Sequence, residues 1–191
     1  MASLRFFIAI ETPPEIKAQI GDIISQLQTA GADVRWEMQE KLHITLKFLG
    51  DTPEELLPQI VLLLEGVAQK TPAFAIRYSG LGCFPHKHDP RIVWVGVDDA
   101  VVATVQHLAA LIDTELASIG IEKKEDFFHP HITIGRVKSR KNPGSLLRTM
   151  QSITFESQPT TITEILIIKS ELRPSGSIYQ LVKAFQLRGI R

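Results

Sequence analysis

The sequence predicts a mixed helix-and-strand fold of two similar lobes sharing one cleft, and three observations predict it. Strand and helix signals alternate along the chain, and the same order of elements occurs twice. Each half also carries one His-Ile-Thr stretch, "KLHITLKFLG" at 41–50 and "FFHPHITIGR" at 127–136. An internal repeat redefines an architecture, because each copy is one unit that must bury a face against the other.

The elements follow in order. "LRFFIAIE" (4–11) is rich in β-formers and reads as a strand. In 13–28, Ile16, Ile20, Ile23, Ile24 and Leu27 fall at helical spacing behind a proline. "HITLKFL" (43–49) is a strand by its β-branched and aromatic content. The Asp-Thr-Pro-Glu-Glu opening of 51–70 signals a helix start, with Pro58 expected to fall near the end of the first turn or to kink the helix. "AFAIRYSGL" (73–81) is a strand, and "GCFPHKHDP" (82–90) is a loop at a rim of the cleft. The second half repeats the order: strand 91–97, helix 98–120 closed by Gly120, strand 131–137, helix 142–153, strand 160–172. A final strand, 177–187, returns through a turn at Pro174-Ser175-Gly176. With no Ser/Gly linker between the halves, residues 1–191 read as one domain whose repeats span roughly 4–81 and 91–172.

Composition narrows the function. The 44% hydrophobic and 22% charged content is ordinary for a globular chain. Lys plus Arg total 21 against 21 Asp plus Glu, so coating a long duplex through its phosphates is disfavoured. A strand end or a nucleotide needs only a local basic cluster. The single cysteine, Cys83, excludes an internal disulfide and matches a reducing, cytoplasmic setting. "LRFFIAIE" is too short for a signal segment and is followed at once by Glu11; no apolar run approaches the roughly 20 residues of a membrane span.

Alternation along a strand gives the repeated motif its chemistry. His43, Thr45 and Lys47 are expected on one face, with Ile44, Leu46 and Phe48 behind; His131 and Thr133 share a face in the same way. One such histidine is most often a hydrogen-bonded structural residue. Two, each with a hydroxyl at the same offset and at equivalent places in a repeat, call for a function. In-line displacement at phosphorus uses this set: a neutral imidazole takes a proton from the attacking oxygen, and an imidazolium protonates the leaving one. Hydroxyls and a cation stabilise the charge on the non-bridging oxygens. Lys47 and Arg136 are the candidate cations, although Arg136 reaches the cleft only if its strand twists or ends near Gly135.

Other conspicuous residues have plainer readings. Trp36 and Trp94 read as core anchors. Phe7 and Phe48 are candidates to stack a base, against a default of core packing. The basic run "RVKSRK" (136–141) is a candidate to hold the phosphates of an RNA 3' end. His86 with His88, and His129 with His131, form His-x-His pairs from which a metal site can be imagined, but only Asp89 lies at ligand spacing beside them. His129 reads as a structural or rim residue, and His107 as a surface or satisfied core residue of its helix.

"HITL" at 43–46, "FHPHITIGR" at 128–136, "RFFIAIETP" at the N-terminus, "RIVWVGV" and "YQLVKAFQL" together resemble the bacterial RNA 2',3'-cyclic phosphodiesterases, also called 2'-5' RNA ligases. These are members of the two-histidine phosphoesterase superfamily, and the resemblance covers essentially the whole chain. It implies a two-lobed, pseudo-twofold α+β fold, each lobe an antiparallel sheet with helices outside and the motif strands facing a central cleft. It implies opening of a terminal 2',3'-cyclic phosphate to a 2'-phosphate without metal or other cofactor, with weak reverse ligation. It makes His43 the proton donor and His131 the proton acceptor, gives Thr45 and Thr133 the anion-stabilising roles, and gives Arg136 a substrate contact. The expected partner is an RNA 3' end or a nucleotide with a 2',3'-cyclic phosphate, and a monomer with no membrane association is expected. The competing readings are a phosphodiesterase of small cyclic nucleotides, a non-catalytic nucleotide- or RNA-end-binding module, and a metallohydrolase built on the His-x-His pairs.

Overall fold

The computed structural model describes residues 3–86, 89–123, 128–173 and 176–189. Its strands are β1 (Ser3–Glu11), β2 (Val34–Trp36), β3 (His43–Pro53), β4 (Phe74–Ile76), β5 (Tyr78–Phe84), β6 (Ile92–Val97), β7 (Ile132–Val137), β8 (Thr160–Ile162), β9 (Glu164–Arg173) and β10 (Gly176–Gln186). The helices are α1 (Pro14–Gln28), α2 (Leu57–Lys70), α3 (Asp99–Ala117) and α4 (Pro143–Ser152). Pro174 and Ser175 of the predicted final turn lie outside the described residues.

The helices form where apolar spacing and end chemistry agree. In α1 the predicted stripe of Ile16, Ile20, Ile23, Ile24 and Leu27 is buried. Asp98 caps α3 by accepting from the Ala100 N–H at 2.9 Å. α2 starts later than predicted, because residues 51–53 complete β3 and Glu54–Leu56 form a 3-10 turn. Pro58 then falls in the first turn of α2, where its missing N–H leaves no hydrogen bond unmade. Among the described residues α3 has the length and apolar content of a bilayer-crossing helix. Its composition serves the core: Val101, Val105, Leu108, Ala109, Ile112 and Leu116 are all buried.

The strands form an antiparallel sheet in the order β10-β9-β1-β3-β7-β6-β5, with β2 added beside β7. From β9 to β5 the order is symmetric under exchange of the two repeats. β1 corresponds to β6, β3 to β7, and β5 to β9. Each repeat donates its last strand to the other lobe, so β5 pairs with β6 and β9 with β1. The two segments read as single strands, 73–81 and 160–172, are each broken after three residues. The short pieces, β4 and β8, pair with each other outside the main sheet. The break is one residue long in both repeats, and a partner that lies across the molecule is invisible to local pattern.

The two motif strands, β3 and β7, meet at one paired position, Ile44 opposite Ile132. Both side chains are fully buried. They belong to a continuous core that takes residues from all four helices and from the helix-facing side of the strands. A smaller cluster of Phe7, Ala9, Leu166 and Ile168 lies on the opposite face of the first lobe.

Candidate active site

Antiparallel pairing through Ile44 and Ile132 sets His43 across from Thr133 and Thr45 across from His131. Because the two isoleucines point into the core, all four polar residues point the other way. They line one cavity of about 580 Å³, together with Glu37, Lys41, Phe48, Phe84, His129, Arg136 and Tyr179 among others. The repeated motif is therefore a single site, assembled about the pseudo-twofold axis.

Each catalytic-candidate ring is held by the same device. His43 Nδ1 donates to the Lys41 carbonyl at 2.6 Å, and His131 Nδ1 donates to the His129 carbonyl at 2.6 Å. A carbonyl only accepts, so both Nδ1 atoms carry a proton and each Nε2 is the exchangeable position. His43 Nε2 lies 2.9 Å from Thr45 Oγ1, which donates to it when the ring is neutral. The anchoring carbonyl sits two residues before the histidine in both repeats. This gives His129 a backbone role, beside its ring's packing against Trp94 at 4.7 Å.

The environment of His43 disfavours its charged form. Its ring stacks on Phe7 with centroids 4.8 Å apart, and Tyr179 closes the edge at 5.6 Å. Burial pushes the imidazole down to about 4 from 6.5; the Lys41 carbonyl works against this, and the charge of Lys17 adds to it. At neutral pH this environment favours the neutral imidazole.

A pair of β-bulges corrects the expected face assignments. Opposite β1, Ile8 faces Lys47 and Ala9 faces Thr45, so Leu46 is an extra residue in β3. Opposite β6, Val93 faces Gly135 and Trp94 faces Thr133, so Ile134 is the matching extra residue in β7. An extra residue shifts the alternation by one. Lys47 thereby turns to the helix side, where it pairs with Asp113 of α3 and donates to the Glu122 carbonyl at 2.8 Å. Its side chain is only 3% exposed, so Lys47 borders the cavity but its charge is already compensated, contrary to the expected role of a cleft cation. Five residues past each histidine the chain returns to the cleft, placing Phe48 in one lobe and Arg136 in the other. Arg136 thus reaches the site by a bulge one residue earlier than Gly135, and its Nε donates to Glu37 at 3.3 Å.

Phe7 also departs from expectation. At 2% exposure it lies beneath His43 and supports that ring, with no face left for a base. Phe48 is 65% exposed and keeps the stacking face. Trp94 forms the layer behind His129 and His131, over Gly82 and Gly96, and Trp36 packs on Gly135. Of the basic run 136–141, only Arg136 lines the cavity; Arg140 pairs with Asp89. His107 is exposed on α3. His88 lies outside the described residues, and among the described residues no group of three or more His, Cys, Asp or Glu is placed to hold a metal ion.

The sequence reading missed Glu37, Lys41, Phe84 and Tyr179, which reach the cavity from β10, β5 and the segment between β2 and β3. Only Lys41 carried a signal, through its fixed offset from His43.

Two anchored imidazoles and two hydroxyls on the axis of a strand-exchanged repeat define the two-histidine phosphoesterase class. A family model for LigT-like phosphoesterases matches the chain twice, over residues 10–94 and 95–179, and the chain belongs to that family. It is 35% identical to the RNA 2',3'-cyclic phosphodiesterase of Aquifex aeolicus, over 99% of this chain and 100% of that one. It is 33% identical to the Thermotoga maritima protein of the same name, over 97% of each. Among solved structures, TT0787 of Thermus thermophilus shares the fold with a TM-score of 0.80 at 24% identity, covering 98% of this chain and 100% of that one. E. coli LigT complexed with 3'-AMP superposes with a TM-score of 0.75 at 25% identity, covering 98% and 99%.

Proposed function

We propose that this protein hydrolyses RNA terminal 2',3'-cyclic phosphate to a 2'-phosphate, with 2'-5' ligation as the reverse reaction, and that residues 1–191 act as one two-lobed domain. The observation that carries the reading is the convergence of two Nδ1-anchored histidines and two threonines on one cavity wall. The relatives named for this reaction match over nearly their full length.

The residues divide the reaction as follows. His131 Nε2 takes a proton from water as its oxygen attacks phosphorus. The bond from phosphorus to the 3' oxygen breaks, and protonated His43 Nε2 delivers a proton to that oxygen, leaving a 3'-hydroxyl and a 2'-phosphate. Thr45 and Thr133 donate to the non-bridging oxygens, and Arg136 balances the charge that builds there. A symmetric frame must accept an asymmetric substrate. Phe48 and Arg136, at equivalent positions, break the symmetry by offering a stacking face in one lobe and a cation in the other. Burial favours neutral His43, so the donor role requires that it be protonated as the anionic phosphate arrives beside it.

The test is to incubate the protein with a short oligoribonucleotide ending in a 2',3'-cyclic phosphate and to locate the product phosphate by phosphorus NMR. A 2'-phosphate is expected. A 3'-phosphate, or an unchanged substrate, refutes the reading.

A further inference from the structure

Beside the catalytic cavity lies a second one of about 230 Å³, lined by Arg35, Glu37, Lys41, Arg136, Ser177 and Tyr179. Glu37, Lys41, Arg136 and Tyr179 border both cavities, so the two adjoin. Its charge is unbalanced. Glu37 is the single carboxylate of the lining and already pairs with Arg136. Arg35 and Lys41 have no ion-pair partner among the described residues, yet they converge. A Cβ placed on Gly176 would lie 2.7 Å from Arg35 Nη2 and 3.7 Å from Lys41 Nζ. Two uncompensated cations held together over a shared cavity favour an anion between them. Gly176, with φ of +123°, leaves room above them that a side chain would fill.

We infer that this second cavity binds the 5'-phosphate of the terminal nucleotide, the one that joins it to its neighbour in an RNA chain. This rests on the function proposed above. A 2',3'-cyclic phosphate closes the 3' end, so every other phosphate of the substrate lies on the 5' side. Lys41 is two residues from His43, at most about 7 Å along the chain, so the cations sit within one nucleotide's reach of the reacting phosphorus. The guanidinium of Arg35 matches a phosphate in a forked geometry, and the Tyr179 ring, with Lys41 Nζ 5.9 Å from its centroid, stands at the boundary of the two cavities. The subsite makes the enzyme prefer a chain end to a free cyclic mononucleoside.

The test compares kcat/KM for a dinucleotide ending in a 2',3'-cyclic phosphate with that for the matching cyclic mononucleoside, in the native protein and in Arg35→Gln and Arg35→Gln/Lys41→Gln. The native protein should favour the dinucleotide, and the preference should weaken with added salt. The double variant should lose about tenfold or more of that preference, mainly through KM, as expected when charge-assisted phosphate contacts are removed. A cyclic mononucleoside bearing a 5'-monophosphate separates the sources: a gain with it as well assigns the site to any 5'-phosphate, a gain with the dinucleotide alone to the RNA chain. An undiminished preference in the double variant, or an equal loss on both substrates, overturns the subsite and leaves the proposed function standing. Turnover of neither substrate by the native protein overturns the function and the subsite with it.

Discussion

A substrate that arms its own acid is the sharpest consequence of the site. Burial, in part against Phe7, holds the His43 imidazole down to about 4. A phosphate anion about 4 Å from Nε2, at an effective dielectric near 20, attracts the protonated ring by about 4 kcal/mol. At about 1.4 kcal/mol per pKa unit, that lifts the pKa by about 3 and into the neutral range. The perturbation is saturation with 3'-AMP, a nucleotide monoester anion with no cyclic diester to open. The assay is a proton NMR titration of the ring Cε1–H, assigned by its loss in His43→Gln, with and without the nucleotide. Titration of His43 near 6.5 in the free protein, or a rise of less than about 1 on binding, refutes the reasoning. The same depression has a stability consequence of fixed sign. The unfolded chain binds the His43 proton more tightly, so the contribution is fully present above pH 6.5 and is lost as pH falls through about 4. The loss amounts to at most about 3 kcal/mol. Urea unfolding of His43→Gln should show less acid destabilisation across that window than the native protein.

Other outcomes follow from the same geometry. His43→Ala and His131→Ala should each lower turnover by orders of magnitude, with the double variant scarcely worse, because the two rings act as a unit; near-native turnover in either removes the acid–base assignment. A better 3' leaving group should partly rescue His43→Ala and leave His131→Ala slow, and rescue of the second instead would exchange the two roles. Thr45→Val with Thr133→Val keeps shape and deletes the hydroxyls; a loss of about 3–4 kcal/mol of transition-state stabilisation per donor is expected in kcat/KM, and unchanged kinetics would exclude them. In Gly135→Ala the new Cβ would sit 2.7 Å from Val34 Cγ1 and 2.8 Å from Trp36 Cε3, so chemical unfolding should show a loss of about 1–3 kcal/mol, with KM raised as Arg136 shifts. Dialysis against a chelator should leave turnover intact, and loss restored by zinc or manganese would return attention to the histidine pairs near residues 86 and 129.

The sequence by itself determined the repeat, the helix stripes and the identity of the central four residues. Those features are written locally: Ile16 to Leu27 mark a helix face by spacing alone, and His-Ile-Thr recurs with its own apolar backing. It also named Arg136 as a candidate cation of the site, although strict alternation put that residue on the far face of its strand. Only the tertiary structure decided the faces beyond the motifs, because a bulge is a property of a strand pair. Nothing in "HITLKFL" announces that Leu46 has no partner on β1, so strict alternation sent Lys47 to the cleft and Phe48 to the core. Pairing reversed both, burying Lys47 against Asp113 and exposing Phe48. The exchange of β5 and β9 between the lobes and the meeting of Arg35 with Lys41 beneath Gly176 lay equally beyond local pattern. The exchange joins strands far apart in the chain, and Gly176 comes over the segment that carries Arg35 and Lys41 only once the core has closed.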